Sequence, residues 1–566
     1  MPASQPPGAA GNPDPWSYPS EPIDLSARSP DVLISPAEAA LDSRPRRPRL
    51  PVIVAAATVV ALILGGVAYA GMRLWYGSGA QPEEATPSTV VAFARLDLAP
   101  GVDQGRKISN LAERFPRESG KDAVDELKQA MFKALGVDEA SYREHVEPWF
   151  AERVGIAWWL DGEKRPYGLI MLAANDESAA RAGLTDLRRE NGAEKFGFVV
   201  RDGYALVAKG DKESQAAADA AGVDSERESL AASAQFRQGV DWLPAQQAVL
   251  AWADLARFGQ AMNATIEAEM RDIPAVPGEE PMPEMDPVTV DPMGTLFGIP
   301  GFGGLAGMTG PGRPGDLKGH VIAGAQATDN GVEVRFRGFG TGTAAPGAPA
   351  DIRSTVDSLP ASSAIAGAFR VGDVAEQIAG QVPGPAEMLP PEEMLKDMPP
   401  GEADRMRKEM RESAKQSEAI TRAYAALSGA KISVAATELG GDDIPALIAA
   451  AETASSGQAE TLVEALRVLF RDQVTISASG DKVELKTERY TAAGGTLAGE
   501  ALYREALDGA PQEATAVLYL DMQRLLADQQ ITERERRQAE PVKAIGLTVG
   551  TEGGDPAGLL RILIRP

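Results

Sequence analysis

Near its carboxy terminus the chain reads PQEATAVLYLD, Pro511 to Asp521, and two earlier stretches follow the same plan: PSTVVAFARLD from Pro87 and PAQQAVLAWAD from Pro244. Each begins with a proline and ends ten positions later in an aspartate, with an apolar run between. A chain that carries one unit more than once must give each copy an equivalent environment, so repetition constrains the fold more than composition does. Other segments recur. RVGIAWWL (Arg153 to Leu160) has a counterpart in KISVAATE (Lys431 to Glu438), which sets Val154 on Ile432 and Ile156 on Val434, 278 positions on (154 to 432). The same offset sets Leu169 and Ile170 on Leu447 and Ile448, Leu184 on Leu462, and the hairpin FVVRDGYALV (Phe198 to Val207) on ISASGDKVEL (Ile476 to Leu485). SLAASAQFRQGVDWLP (Ser229 to Pro244) matches TLAGEALYREALDGAP (Thr496 to Pro511). The chain is a tandem duplication.

The repeated apolar runs are β-rich and predict strands. The closing aspartates Asp254 and Asp521 stand before the helical patterns LARFGQAM and MQRLLADQQ, where a carboxylate accepts from the free N–H groups of a first turn. At Asp97 the following LAPG breaks a helix early. A fourth copy, PASSAIAGAFRVGD from Pro360, places Arg370 at the tenth position, with Asp373 and Glu376 at capping-box spacing beyond it. An acid that moves between copies suits a cap and not a catalytic centre. Asp202-Gly203, Asn330-Gly331 and Gly480-Asp481 lie between alternating apolar residues and predict two-residue hairpin turns, hence antiparallel sheet. The expected fold is α+β: two tandemly duplicated lobes of antiparallel sheet with helices packed on one face, preceded by one transmembrane helix. Lobe 1 is expected over 87–340, a linker over 341–359 and lobe 2 over 360–566, with strand sharing between lobes left open. An insertion at 272–316, rich in Pro, Gly and Met, belongs to lobe 1 alone and includes Met293, Phe297, Phe302 and Met308. It reads as a disordered loop, with an apolar contact surface as the alternative.

Residues 50–72 contain no charged side chain, and about 23 residues at about 1.5 Å each cross a hydrocarbon core of about 30 Å. The basic cluster RPRRPR at Arg44 to Arg49 precedes this run, while only Arg73 follows closely. The positive-inside rule then puts a disordered tail, 1–49, in the cytoplasm and the rest outside the cell membrane, after a flexible stalk at 73–86. The AYA triplet at Ala68 to Ala70 offers a cleavage site, but the long leader and long apolar stretch favour an uncleaved anchor. Gly66 and Ala70 have small-xxx-small spacing, common in Ala-rich helices. A formal charge of -25 over 566 residues disfavours nucleic acid as a partner.

Chemistry is sparse. With no cysteine there is no disulfide framework or thiol nucleophile, and any histidine chemistry rests on His145 or His320. No G-x-S-x-G, Walker loop or H-E-x-x-H occurs. SGDK at Ser479 to Lys482 satisfies S-x-x-K but occupies a predicted turn, and GFGTG at Gly338 to Gly342 runs into a proline-rich linker in place of a helix. Glu279, Glu280, Glu284, Asp286 and Asp291 form an acidic cluster whose interleaved prolines oppose a compact Ca²⁺ loop. His320 has Ala544 at the duplicate position. No catalytic, cofactor-binding or metal residue and no cofactor is assigned.

The tail, basic cluster and single span, followed by STVVAFARLDLAPG and FGFVVRDGYALVAKGDKE, resemble the domain of unknown function 3352 family of actinobacterial membrane proteins. The resemblance covers most of the exported part and implies an extracytoplasmic location without supplying an activity. Binding or scaffolding in the cell envelope is the leading expectation, through an envelope protein partner or an apolar ligand. The alternatives are an enzyme using carboxylates or hydroxyls between the lobes, or a carrier of an apolar ligand. In this Cys-free chain, Ser455→Cys is expected to react with a membrane-impermeant maleimide on intact cells and Ser17→Cys only after lysis; the opposite pattern reverses the topology.

Overall fold

The computed structural model describes residues 81–97, 101–116, 132, 137–192, 195–209, 213–261, 317–341, 352–371, 399–438, 445–470, 474–491, 494–511, 513–528 and 532–566. The tail 1–49, the run 50–72, the insertion 272–316 and the Asp373/Glu376 box lie outside them. Among the described residues no helix is long and apolar enough to cross a membrane.

Lobe 1 supplies β1 (Ala92–Asp97), β2 (Phe150–Leu160), β3 (Pro166–Ala174), β4 (Gly197–Arg201), β5 (Tyr204–Lys209), β6 (Val249–Asp254), β7 (His320–Thr328) and β8 (Gly331–Phe339). Lobe 2 supplies β9 (Ile365–Arg370), β10 (Lys431–Glu438), β11 (Ala446–Glu452), β12 (Val474–Ser479), β13 (Lys482–Thr487), β14 (Glu513–Asp521), β15 (Val542–Glu552) and β16 (Asp555–Ile564). The order β12-β13-β11-β10-β9-β14-β15-β16-β8-β7-β6-β1-β2-β3-β5-β4 makes one sheet, antiparallel throughout. No strand is exchanged, because each lobe's eight strands are contiguous and only β8 and β16 meet across the boundary. The duplication is visible in the ladder. Asp254 lies opposite His320 and Asp521 opposite Ala544, and the bridges Pro87–Ser229 and Pro360–Thr496 recur at matching places. The offset from 320 to 544 is 224, and it exchanges the central pairs Arg337–Ala557 and Glu333–Arg561, so a pseudo-twofold axis passes at Arg335 and Leu559.

The structure changes the expected alignment in one place. Leu169 pairs Ala157 while Ile448 pairs Ala435, so the counterpart of Leu169 is Ile448 and that of Ile170 is Ala449. β10 carries a bulge between Ala436 and Glu438 that β2 lacks at the matching place, and because side chains alternate, that one extra residue exchanges the faces.

Helices cover both faces of lobe 1, not one. On one side α1 (Pro82–Ala85), α5 (Ser214–Arg227) and α6 (Ala234–Trp242) pack on Phe93, Trp159, Leu169, Met171, Tyr204 and Leu206. On the other, α3 (Glu139–His145) and α4 (Glu177–Asn191) pack on Val154, Ile170, Leu172, Val200 and Val207; α2 (Val102–Ala112) lies against β7. Lobe 2 has α7 (Ile352–Asp357), α8 (Pro400–Ala426), α9 (Ser456–Phe470), α10 (Ala501–Ala506), α11 (Met522–Asp528) and α12 (Glu533–Ala539), with no described helix between β13 and residue 497 to match α5. The sequence compensates: Tyr204, Leu206 and Ala208 on the face under α5 become Lys482, Glu484 and Lys486. A strand face without a helix must be solvated.

Two expected connectors are shorter than predicted. Pro82, Glu83, Ala85 and Thr86 of the stalk are buried, and Arg95 pairs with Glu83. Ile352 and Val356 of the linker are fully buried in the lobe 2 core with Tyr503 and Tyr519. Both are the same element, a short helix leading into a lobe's first strand.

At the lobe junction Glu333, directly opposite Arg561, accepts from its Nη2 at 2.6 Å and from Arg335 Nε at 2.6 Å. Burial alone raises this carboxyl, but the bonds from Arg561 and Arg335 outweigh it and hold it below its ordinary value of 4.5. A depressed carboxylate stabilises the fold above its unfolded pKa, and that contribution is lost as the pH falls through the folded value. Beside it, Gly558 is required because a Cβ there would lie 2.0 Å from the Phe336 ring. Glu333→Ala should cost about 3–5 kcal/mol in urea unfolding by stranding a buried guanidinium, and Glu333→Ala with Arg561→Leu should recover most of it. A single-mutant loss under about 1 kcal/mol refutes this account of the junction.

Candidate functional site

The recurring aspartates are placed by their strands at helix starts. Asp254 Oδ1 accepts from the Arg257 amide at 3.0 Å, and Asp521 Oδ1 from the Arg524 amide at 3.1 Å. Each following arginine folds back on its aspartate, at 3.6 Å and 3.4 Å, and donates to backbone carbonyls at the start of its lobe's first strand: Ser88 for Arg257, Ala361 and Ser363 for Arg524. These are caps and strand ties. Asp97 faces Arg153 at 3.5 Å, across β1 and β2. Its counterpart Arg370 lies opposite Lys431, which turns to Glu452 at 2.7 Å.

Glu83, Arg95, Asp97, Arg153 and Tyr204 form a charged knot beneath α1. Burial raises the Glu83 carboxyl above its ordinary value, and Arg95 offsets this only in part. A raised carboxylate beside cations and a phenol has the makings of an acid–base centre. Pro82 closes it, however, packed so tightly that a Cβ on Gly155 would sit 2.7 Å from the proline Cβ.

The two histidines are not brought together. His145 meets Glu190 at 3.1 Å between α3 and α4, and its carbonyl accepts from Trp149 Nε1 at 2.6 Å. His320 stacks on Phe339 with centroids 4.9 Å apart, and burial pushes its imidazole below the ordinary value against the opposing pull of Asp254 and Asp555. Ser479 and Lys482 are the last pair of the β12–β13 hairpin, as the turn reading expects. The Gly340 amide donates to Asp555 at 3.1 Å. The acidic cluster of the insertion lies outside the described residues, and among those residues no group of three His, Asp or Glu is placed to hold a metal.

What sequence reasoning missed is a cavity of about 220 Å³ in lobe 1, between the sheet and its α3–α4 cover. Its walls are Phe132, Val137, Val146, Ile170, Leu172, Leu184, Leu187, Phe196 and Val207, with Lys195 and Lys209 the charged residues. β3 and β5 present Ile170, Leu172, Val207 and Lys209 on one face by strand alternation, and α4 supplies Leu184 and Leu187 from one helical face. On the corresponding side of lobe 2, Ala419, Ala423 and Ala426 of α8 pack with Ala459, Leu462 and Ala465 of α9. Position 209 becomes Thr487, whose hydroxyl accepts from the Leu447 amide at 2.9 Å. The available signal was this difference between copies, with Lys209 and Leu187 replaced by Thr487 and Ala465.

No family model, curated protein or solved structure matches this chain. If the repeated aspartates are caps, Asp254→Ala and Asp521→Ala should each cost about 1 kcal/mol in chemical denaturation.

Proposed function

We propose that this chain is a membrane-tethered, extracytoplasmic binding protein of the cell envelope, akin to the domain of unknown function 3352 family, and that its first lobe carries a small apolar ligand. The observation behind this reading is the cavity under α3 and α4: nine apolar side chains line it, where the second lobe, built on the same plan, packs small alanines of α8 and α9 together. At the junction the two lobes meet through the β8–β16 ladder, which favours a binding module over an enzyme built between them.

The volume sets the ligand's size. A cavity of about 150 Å³ takes one benzene ring, so 220 Å³ suits on the order of eight to ten carbons. Burying eight methylenes at about 0.8 kcal/mol each gives about 6 kcal/mol before the cost of association, which points to Kd values in the micromolar to millimolar range.

Titrating 1-octanol into the full chain in nanodiscs, with empty nanodiscs subtracted, should give a saturable calorimetric signal of one site. Leu184→Trp, which fills the cavity, should weaken it at least tenfold, and Ile170→Phe should do so if the tryptophan variant does not fold. Absence of saturable binding, or unchanged binding in a folded filled variant, refutes the carrier reading.

A further inference from the structure

We infer that the cavity's ligand is an anionic amphiphile, a tail of about eight to ten carbons ending in a carboxylate or phosphate monoester held between Lys195 and Lys209. This rests on the carrier reading and adds the head group to it.

Three observations converge. First, both charged wall residues are cations and neither Asp nor Glu is on the wall, in a chain whose formal charge is -25. Second, the two lysines stand at one end. Gly197 pairs Ala208, so the β4–β5 register continued by one residue sets Phe196 opposite Lys209, with Lys195 adjoining. Along β3 and β5 the levels run from Leu172–Ala205 through Ile170–Val207 to Gly168–Lys209. At about 3.3 Å per residue, the four-residue run from level 205 to 209 spans about 13 Å. The gradient from apolar to cationic along that length is the complement of an extended amphiphile lying parallel to the strands. Third, the duplicate position in lobe 2 has no cation: Lys209 becomes the buried, backbone-bonded Thr487.

An ammonium at the rim of an apolar cavity serves a head group best when that group is anionic, because a charge-assisted bond then forms where the tail leaves the water. Lysine stems also cover apolar surface with the charge in solvent, which is the outcome the experiment must separate.

The test titrates octanoate, octyl phosphate, 1-octanol and octylamine into the full chain in nanodiscs, with empty nanodiscs subtracted. One or both anions should bind about tenfold tighter than 1-octanol, and octylamine should bind weaker than 1-octanol. A preference confined to octyl phosphate assigns the head as a phosphate monoester, and one confined to octanoate assigns a carboxylate. Lys195→Gln and Lys209→Gln should each reduce anion affinity about threefold. The double variant should erase the preference, so that the anions bind no tighter than 1-octanol does to that same variant, and Lys209→Arg should retain it. Anions binding no tighter than 1-octanol, or a preference surviving the double variant, overturns the anionic assignment and leaves the carrier reading standing. Loss of binding by all four ligands sinks the carrier reading itself.

Discussion

The structure depends on the ladder between β8 and β16. An eight-stranded lobe ends in an edge whose unpaired N–H and C=O groups invite association. Here the duplicate lobe supplies the mate, and two edges become one interior seam about the Arg335–Leu559 axis. Glu333 and its two arginines make that seam selective, since a buried carboxylate between guanidiniums has one satisfied register and any slip strands charge. The partner position has diverged: Arg337, equivalent to Arg561, faces Ala557 and turns to Glu552 at 3.3 Å and Asp555 at 3.7 Å.

Once both lobes share one sheet, their differences lie in what covers each face. α5 permits Tyr204, Leu206 and Ala208 to be apolar in lobe 1, and a solvated face requires Lys482, Glu484 and Lys486 in lobe 2. On the opposite face the balance is reversed. Alanines of α8 and α9 pack together in lobe 2, whereas larger side chains under α3 and α4 line a cavity in lobe 1. Close packing is the normal state of a protein interior, so an apolar cavity draws attention to the lobe that holds it. The proposed ligand role of lobe 1 grows from that asymmetry.

The sequence by itself determined that one lobe is made twice, that Asp202-Gly203 and Gly480-Asp481 turn hairpins, and that Asp254 and Asp521 cap helices. Each of these is a local matter of backbone geometry or of a side chain reaching three residues along the chain. The turn expected at Asn330-Gly331 falls one residue earlier, on Asp329-Asn330, because Gly331 pairs with Thr328 as the first residue of β8. Ile170 against Ile448 was misaligned because identity between neighbouring apolar residues carries no information about a one-residue bulge in the preceding strand. Only the tertiary structure decided that the lobes fuse edge to edge, that both sheet faces of lobe 1 are covered, and that residues 81–86 and 352–357 belong to the lobes. It alone assembled the cavity, for its walls come from β3, β5, α4, Phe132, Val137, Val146 and Lys195–Phe196. Their meeting is a consequence of strand order and of side-chain volumes summed across elements, and neither quantity is written in any single stretch of the chain.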